Sequence, residues 1–330
     1  MSTRTTPFRI LFAGTPEIAL FSLEAAWRHS TEWHIEGVLT NPDAPSGRGR
    51  RVRPSPVKAW ALEHEVPILQ PEHLRGEARE AVSALAPDLL VVVAYGRIFG
   101  PRFLALFPEG GINVHPSLLP RHRGPSPLQA AILSGDAETG VTVQYLAPEM
   151  DSGDIILQER IALPDDVSTS ALHDDLGRRG AALLVEAIDR IAAGDVTRTP
   201  QDHERATYCR KIERRDGRLD WSESALTISR MVRAYTPWPG VVCSWGGRAL
   251  QFTEATHRSA PPVAVVGGKR PEKTRPGEVV AVDNGLGILI QTTDGLVAVR
   301  RLKLQTRKEM DFRAFINGNP TIIGSVLERA

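Results

Sequence analysis

The chain is poor in cysteine. Two thiols, Cys209 and Cys243, stand in 330 residues. They form no CxxC pair and fit a reduced compartment, and a chain of this length needs no disulfide to hold its core. Long apolar runs are also missing: nothing approaches the roughly 20 residues that span a bilayer. The opening MSTRTTPFRILFAG has no apolar h-region and no small-residue cleavage site, so no secretory signal is read there. The expected location is the cytoplasm, with no membrane partner. Excess charge of one sign is absent as well: the net charge is +1, so any nucleic-acid-binding surface has to be local.

Three chemical signatures are absent. FAGTPE follows the first apolar run without the G-x-G-x-x-G fingerprint, which disfavours a nicotinamide-dependent oxidoreductase. VVGGKRP has a glycine pair and a lysine, but no Ser or Thr follows, so it is not a P-loop. No HExxH or similar zinc spacing occurs, and no metal is expected.

What is present is an ordinary globular composition, 42% hydrophobic and 24% charged, at a length that suggests two domains. Over 1–194 the pattern alternates. Strands are predicted at 8–13, 35–40, 67–69, 88–94 and 111–115, and again near 140–146 and 155–162. Helices are predicted at 16–29, from Pro56 with Ser55 as its cap, and at 71–85, 98–106, 126–134 and 168–193. A long loop, 41–54, interrupts them. This alternation implies a doubly wound α/β domain with a mostly parallel sheet and helices on both faces.

After Gly194 the pattern changes. Residues 195–207 read as a linker. Residues 208–330 hold one helix, 223–235, and short strands at 240–245, 248–254, 277–282, 286–291 and 296–303. A Pro/Gly/Lys stretch, 258–277, reads as a mobile loop. Short strands at turn-like spacing suggest a smaller OB-like β-barrel domain.

Ligands of open α/β sheets bind beyond the carboxyl ends of the strands. GINVHPSLLPRHRGPSP leaves the sheet there. Asn113 and His115 are two apart and share a face of their strand, with Val114 on the other. Downstream, EMDSGDI carries Asp151 on a glycine-bounded turn ahead of another strand. Spacing alone leaves two readings open. The three polar groups converge as an active site, or Asn113 satisfies local backbone, His115 is a half-buried polar residue and Asp151 makes an Asx-turn.

INVHPSLLPRHRG resembles the N-x-H-x-S-L-L-P signature of the 10-formyltetrahydrofolate-dependent formyltransferases, and GDAETGVTVQYLAPEMDSGDI resembles their second block. RILFAGTPEIA, NPDAPSGRGRRVRPSPVKAWA, VVVAYGRIF, DWSESA and RAYTPWPG are similar to segments of methionyl-tRNA formyltransferases in particular, so the likeness covers nearly the whole chain. Pro116 and Ala44 depart from the residues common at those positions.

The resemblance implies formyl transfer from 10-formyltetrahydrofolate to the α-amino group of initiator methionyl-tRNA, with Asn113, His115 and Asp151 as the catalytic trio. Folate contacts are implied at Ser117, Leu118, Leu119 and Pro120, and at Tyr95, Gly96 and Ile98 in the AYGRI turn. Leu118 and Leu119 either pack on the flat pterin or simply fill the core.

The glycine-rich loop SGRGRRVR, with Lys58 after it, resembles the family's acceptor-stem loop. Arg48, Arg50, Arg51, Arg53 and Lys58 are therefore expected at tRNA, as are Lys211, Arg301 and Lys303 of the C-terminal clusters. The alternative for each is a solvated surface charge. The protein is expected to be monomeric. The barrel disfavours a glycinamide ribonucleotide formyltransferase, and the GRGRR loop disfavours a sugar-nucleotide one.

Overall fold

A computed structural model describes residues 7–29, 33–46, 51–258 and 274–330. Arg48, Arg50 and most of the stretch 258–277 lie outside the described residues, and nothing is described of the Arg51 side chain. The chain divides into two compact units: unit 1 is Met1–Pro127, Glu138–Ala162 and His173–Arg210, and unit 2 is Leu128–Ala137, Leu163–Leu172 and Lys211–Ala330.

The strands of the first half are β1 (Phe8–Gly14), β2 (Trp33–Leu39), β3 (Ala44–Ser46), β4 (Arg51–Arg53), β5 (Ile68–Leu69), β6 (Leu89–Val93), β7 (Gly111–His115), β8 (Glu138–Tyr145) and β9 (Ile155–Ala162). Its helices are α1 (Ile18–His29), α2 (Pro56–Glu63), α3 (Glu77–Leu85), α4 (Pro101–Leu104), α5 (Pro127–Ser134) and α6 (Thr169–Ala193). Seven strands form one sheet in the order β5-β2-β1-β6-β7-β8-β9. The first five run parallel, and β8 and β9 are antiparallel additions. The order reverses between β1 and β6, so their carboxyl ends flank the switch point where doubly wound sheets bind ligands.

The sheet is apolar on both faces because helices cover both. Val82 of α3 and Phe103 of α4 share a core with Leu11, Ala13, Leu39, Leu90 and Val92. On the other face α6 approaches closely through two glycines. A Cβ on Gly177 would lie 2.5 Å from the Phe21 ring, and one on Gly180 would lie 2.8 Å from Val114 Cγ1.

Three expected elements differ. The helix expected at 71–85 starts only at Glu77, because Gly76 holds φ +53 and leaves the helical region. The helix expected at 98–106 shrinks to α4, with Gly100 as its N-cap and Pro101 at its first turn. The loop expected at 41–54 contains a short antiparallel ladder, Ala44↔Arg53 to Ser46↔Arg51.

Unit 2 carries α7 (Ala225–Tyr235) and α8 (Phe312–Gly318), with strands β10 (Val241–Trp245), β11 (Arg248–Arg258), β12 (Val279–Asp283), β13 (Gly287–Gln291), β14 (Leu296–Leu304), β15 (Met310–Asp311) and β16 (Glu328–Arg329). The sheet order is β12-β13-β14-β11-β10-β16, with β15 paired to β14. The segment leading into β16 hydrogen-bonds back to the start of β12, Val279 N to Ser325 O at 2.9 Å and Leu327 N to Gly277 O at 2.8 Å. The sheet is thereby curled into an OB-like half-barrel around Leu289, Leu296 and Ala298. No helix among the described residues is long and apolar enough to cross a membrane.

Candidate active site

β7 ends at His115 on the carboxyl edge of the sheet. Register puts Asn113 opposite Val92 of β6 and Gln144 of β8, and His115 opposite Thr142. Cross-strand partners share a face, so Asn113, His115, Thr142 and Gln144 make one polar patch on the face away from α6. Thr142 and Gln144 are at most 1% exposed. Polar groups so deeply buried have to be hydrogen-bonded.

They are. Thr142 Oγ1 donates to Ser117 O at 2.7 Å and receives Gln158 Nε2 at 2.8 Å. It thereby holds the loop leaving β7. Gln158 Nε2 also donates to Leu119 O at 3.0 Å, and Ser117 Oγ donates to Arg121 O at 2.6 Å.

That loop returns His122 O to the histidine: His115 Nε2 lies 2.9 Å from it. A carbonyl oxygen only accepts, so Nε2 carries the hydrogen. Nδ1 faces Asp151 Oδ2 at 3.7 Å. The carboxylate has its own donors, Gly124 N to Oδ2 at 2.7 Å and Gln144 Nε2 to Oδ1 at 3.2 Å. Asn113 is half-buried, and among the described residues its amide makes no hydrogen bond to protein. It is therefore open to a ligand.

Backbone strain concentrates at this rim. Ala94, His122 and Asp151 adopt φ of 51°, 55° and 52°. Such conformations cost on the order of 1 kcal/mol or more and persist only when their surroundings enforce them.

The other expected site residues are placed as follows. The Tyr95 ring is 1% exposed and packs in the core beside Phe99. Burial pushes its phenol up from the usual tyrosine range, with Arg97 opposing. Its carbonyl, which accepts from Asn41 Nδ2 at 2.7 Å, is the part of it that reaches the rim. Gly96 is exposed, and a Cβ there would meet nothing within 4 Å. Ile98 is 79% exposed. Ser117, Leu118 and Leu119 are buried, and Leu118 Cδ2 lies 2.6 Å from where a Gly140 Cβ would stand. Both leucine side chains are packed under the loop.

Of the basic residues, Arg53 and Lys211 are exposed. Lys58 is not a free cation: its Nζ pairs with Asp43 Oδ2 at 2.6 Å. Gln70 first, then Lys58, holds the Asp43 carboxyl below its usual range. Arg301 pairs with Glu309 at 2.6 Å, and Lys303 is half-buried. No group of three or more His, Cys, Asp or Glu suited to a metal occurs among the described residues.

Sequence reasoning missed Gln144, Arg123 and Gln201. The signal for Gln144 was available: in VTVQY, Thr142 and Gln144 alternate with valines in the strand expected near 140–146. Gln201 fell in the presumed linker.

The family models for "Formyl transferase" and "Formyl transferase, C-terminal domain" match residues 8–188 and 211–320. The chain is 42% identical over 311 residues to the methionyl-tRNA formyltransferase of Chloroflexus aurantiacus, covering 94% of this chain and 96% of that one. The chain belongs to the methionyl-tRNA formyltransferase family. A second such formyltransferase, from Symbiobacterium thermophilum, is 41% identical over 96% of this chain and 94% of its own. Among solved structures, WlaRD, a sugar 3N-formyl transferase crystallised with dTDP and 5-N-formyl-THF, superposes with a TM-score of 0.62. It is 15% identical and covers 92% of this chain and 100% of its own. At that identity the likeness concerns the fold.

Proposed function

We propose that the protein transfers the formyl group of 10-formyltetrahydrofolate to the α-amino group of initiator methionyl-tRNA, with Asn113, His115 and Asp151 as catalytic residues. The observation that carries this reading is the approach of His115 Nδ1 to Asp151 Oδ2 at 3.7 Å, beside the open amide of Asn113 on the same strand face. Full-length relatives named methionyl-tRNA formyltransferase supply the substrate pair.

The rim suits a flat, polar-edged donor. The turn at 94–98 has open space over Gly96 and an exposed Ile98. Backbone groups there and at Pro120 would meet the edge of a pterin. When bound, the folate supplies the formyl group as an electrophilic carbonyl on nitrogen. WlaRD, of the same fold, was crystallised with 5-N-formyl-THF.

The chain's own residues then have defined tasks. As the amine attacks, charge develops on the formyl oxygen, and Asn113 Nδ2 donates to it. His115 donates from a protonated ring or exchanges a proton with the reacting nitrogens. The amine loses one proton and the folate nitrogen gains one, so the protein returns to its starting state. Asp151 orients the His115 ring through its approach to Nδ1. For tRNA, Arg48, Arg50, Arg51 and Arg53, with Lys211, Arg301 and Lys303, act collectively on phosphates. Lys58 works indirectly, by tying the base of the basic loop to Asp43. Domain limits of 1–194 and 208–330, with 195–207 between them, accompany this proposal.

The test is turnover of charged initiator tRNA with 10-formyltetrahydrofolate by H115A and D151N. Each is expected to lose at least about a hundredfold in kcat. Near-normal kcat in either removes that residue from the site.

A further inference from the structure

We infer that Arg123, Gln201 and Gln144 form a one-way hydrogen-bond relay that fixes Asp151 toward His115, and that Gln201 is a positioning residue for the reaction. The inference rests on the catalytic reading of Asp151 and His115.

Gln201 is 5% exposed, in the segment between α6 and unit 2. That segment is strapped to the site: Thr199 exchanges backbone hydrogen bonds with Ile155 at 2.8 and 2.9 Å, and Thr207 O and Cys209 N bracket Arg123 at 2.9 and 2.8 Å. The guanidinium of Arg123, 1% exposed, donates to Gln201 Oε1 from Nε at 3.2 Å and from Nη2 at 2.7 Å. Arginine has no acceptor, so the Gln201 oxygen must face it and the amide nitrogen must face away.

Gln201 Nε2 in turn meets only acceptors: Gln144 Oε1 at 3.0 Å, Asp151 O at 2.9 Å and Gly153 O at 2.7 Å. With its oxygen so engaged, Gln144 can present only its N–H to Asp151 Oδ1. Every amide orientation in the chain follows from the guanidinium, and the sense runs from cation to carboxylate.

Asp151 needs this support. It sits at φ 52°, where a residue with a Cβ stays only if its surroundings over-determine it. Gln201 holds its carbonyl, and Gln144 and Gly124 hold its two carboxylate oxygens. Loss of the Gln201 donor frees the Asp151 carbonyl and leaves the Gln144 amide without the partner that fixes its N–H toward the carboxylate.

The experiment compares Gln201→Glu, Gln144→Met, their double variant and Asp151→Asn, using the full chain in steady-state formylation with thermal melts. Gln201→Glu keeps the shape and an acceptor for Arg123, but offers no hydrogen to the other three partners. Its kcat is expected to fall roughly ten- to a hundredfold, the scale of a displaced catalytic group. KM for both substrates should stay within about twofold, and the melting midpoint should fall by a few degrees while the transition stays cooperative, since buried acceptors lose their donor. Gln144→Met should behave alike, and the double variant should be no slower than the slower single, because both cut one chain.

Wild-type kcat in Gln201→Glu, a loss carried by KM, or multiplying losses in the double variant overturns the relay. If Gln201→Glu does not fold, Gln144→Met decides by the same split of kcat from KM. An active Asp151→Asn sinks the underlying catalytic reading; an inactive one beside a fully active Gln201→Glu sinks the relay alone.

Discussion

Replacing Gly124 by alanine should disable the site without touching a reactive side chain. Gly124 N donates to Asp151 Oδ2 at 2.7 Å. Its φ is +115°, and a Cβ built on it would lie 2.2 Å from Cys209 O. Ordinary van der Waals contact begins at 3.4 Å; 3.4 less 2.2 leaves about 1.2 Å that backbone must yield. The obstacle is the backbone carbonyl of Cys209, whose N–H is tied to Arg123 O at 2.8 Å, not the tip of a flexible side chain. Displacement of a catalytic group by about 1 Å costs on the order of a hundredfold in rate, or roughly 2.7 kcal/mol.

The disfavoured φ adds about 1–3 kcal/mol of instability. Gly194→Ala separates the two effects. Its φ is +70°, but a Cβ there meets nothing within 4 Å. It should lose only about 1 kcal/mol, roughly 2–4 °C in Tm, with unchanged kcat. Initial formylation rates and melts of both variants decide. A Gly124→Ala enzyme within about threefold of normal kcat would refute the reasoning, because Asp151 would then not depend on that N–H.

Other expectations follow from neighbouring features. The Cys243 thiol should resist a disulfide reagent at pH 7–8 in the folded protein and react on unfolding, since it is buried and burial pushes it up; labelling of two thiols in the native chain contradicts this. The Asp43 carboxyl is depressed, so the stability it contributes is full above its ordinary value of 3.8 and lost as pH falls through the lower folded value. A carboxyl NMR titration should place it below 3.8, and Lys58→Ala should raise it only in part, because Gln70 is the larger cause. Binding of tRNA should weaken steeply with salt, with a log–log slope near −4 for about five phosphate contacts. A slope flatter than −1 would remove the basic residues from the interface.

The parallel sheet was legible because its strands are short apolar runs separated by helical periods, and the change of pattern after Gly194 announced a second architecture. Asn113 and His115 could be paired from period-two geometry alone, and Asp151 joined them only through the family resemblance of its segment. Lys58 looked like one more cation of a basic loop; its partner Asp43 is fifteen residues away, and no local pattern marks the pair. Tyr95 shares a turn with Gly96 and Ile98, yet positive φ at Ala94 and Gly96 sends its ring inward while Ile98 stays out. Gln201 was invisible for a different reason: its segment has linker composition, and its value comes from returning past β9 and Arg123, a long-range event with no local signature.

The most direct test is formylation of charged initiator tRNA by the unmodified chain beside D151N, with 10-formyltetrahydrofolate as donor. Formylmethionyl-tRNA from the unmodified chain, at a rate at least about a hundredfold above D151N, is the expected result. Equal rates for the two proteins, or no product from either while the donor still binds, would contradict the assignment of this carboxylate and this acceptor.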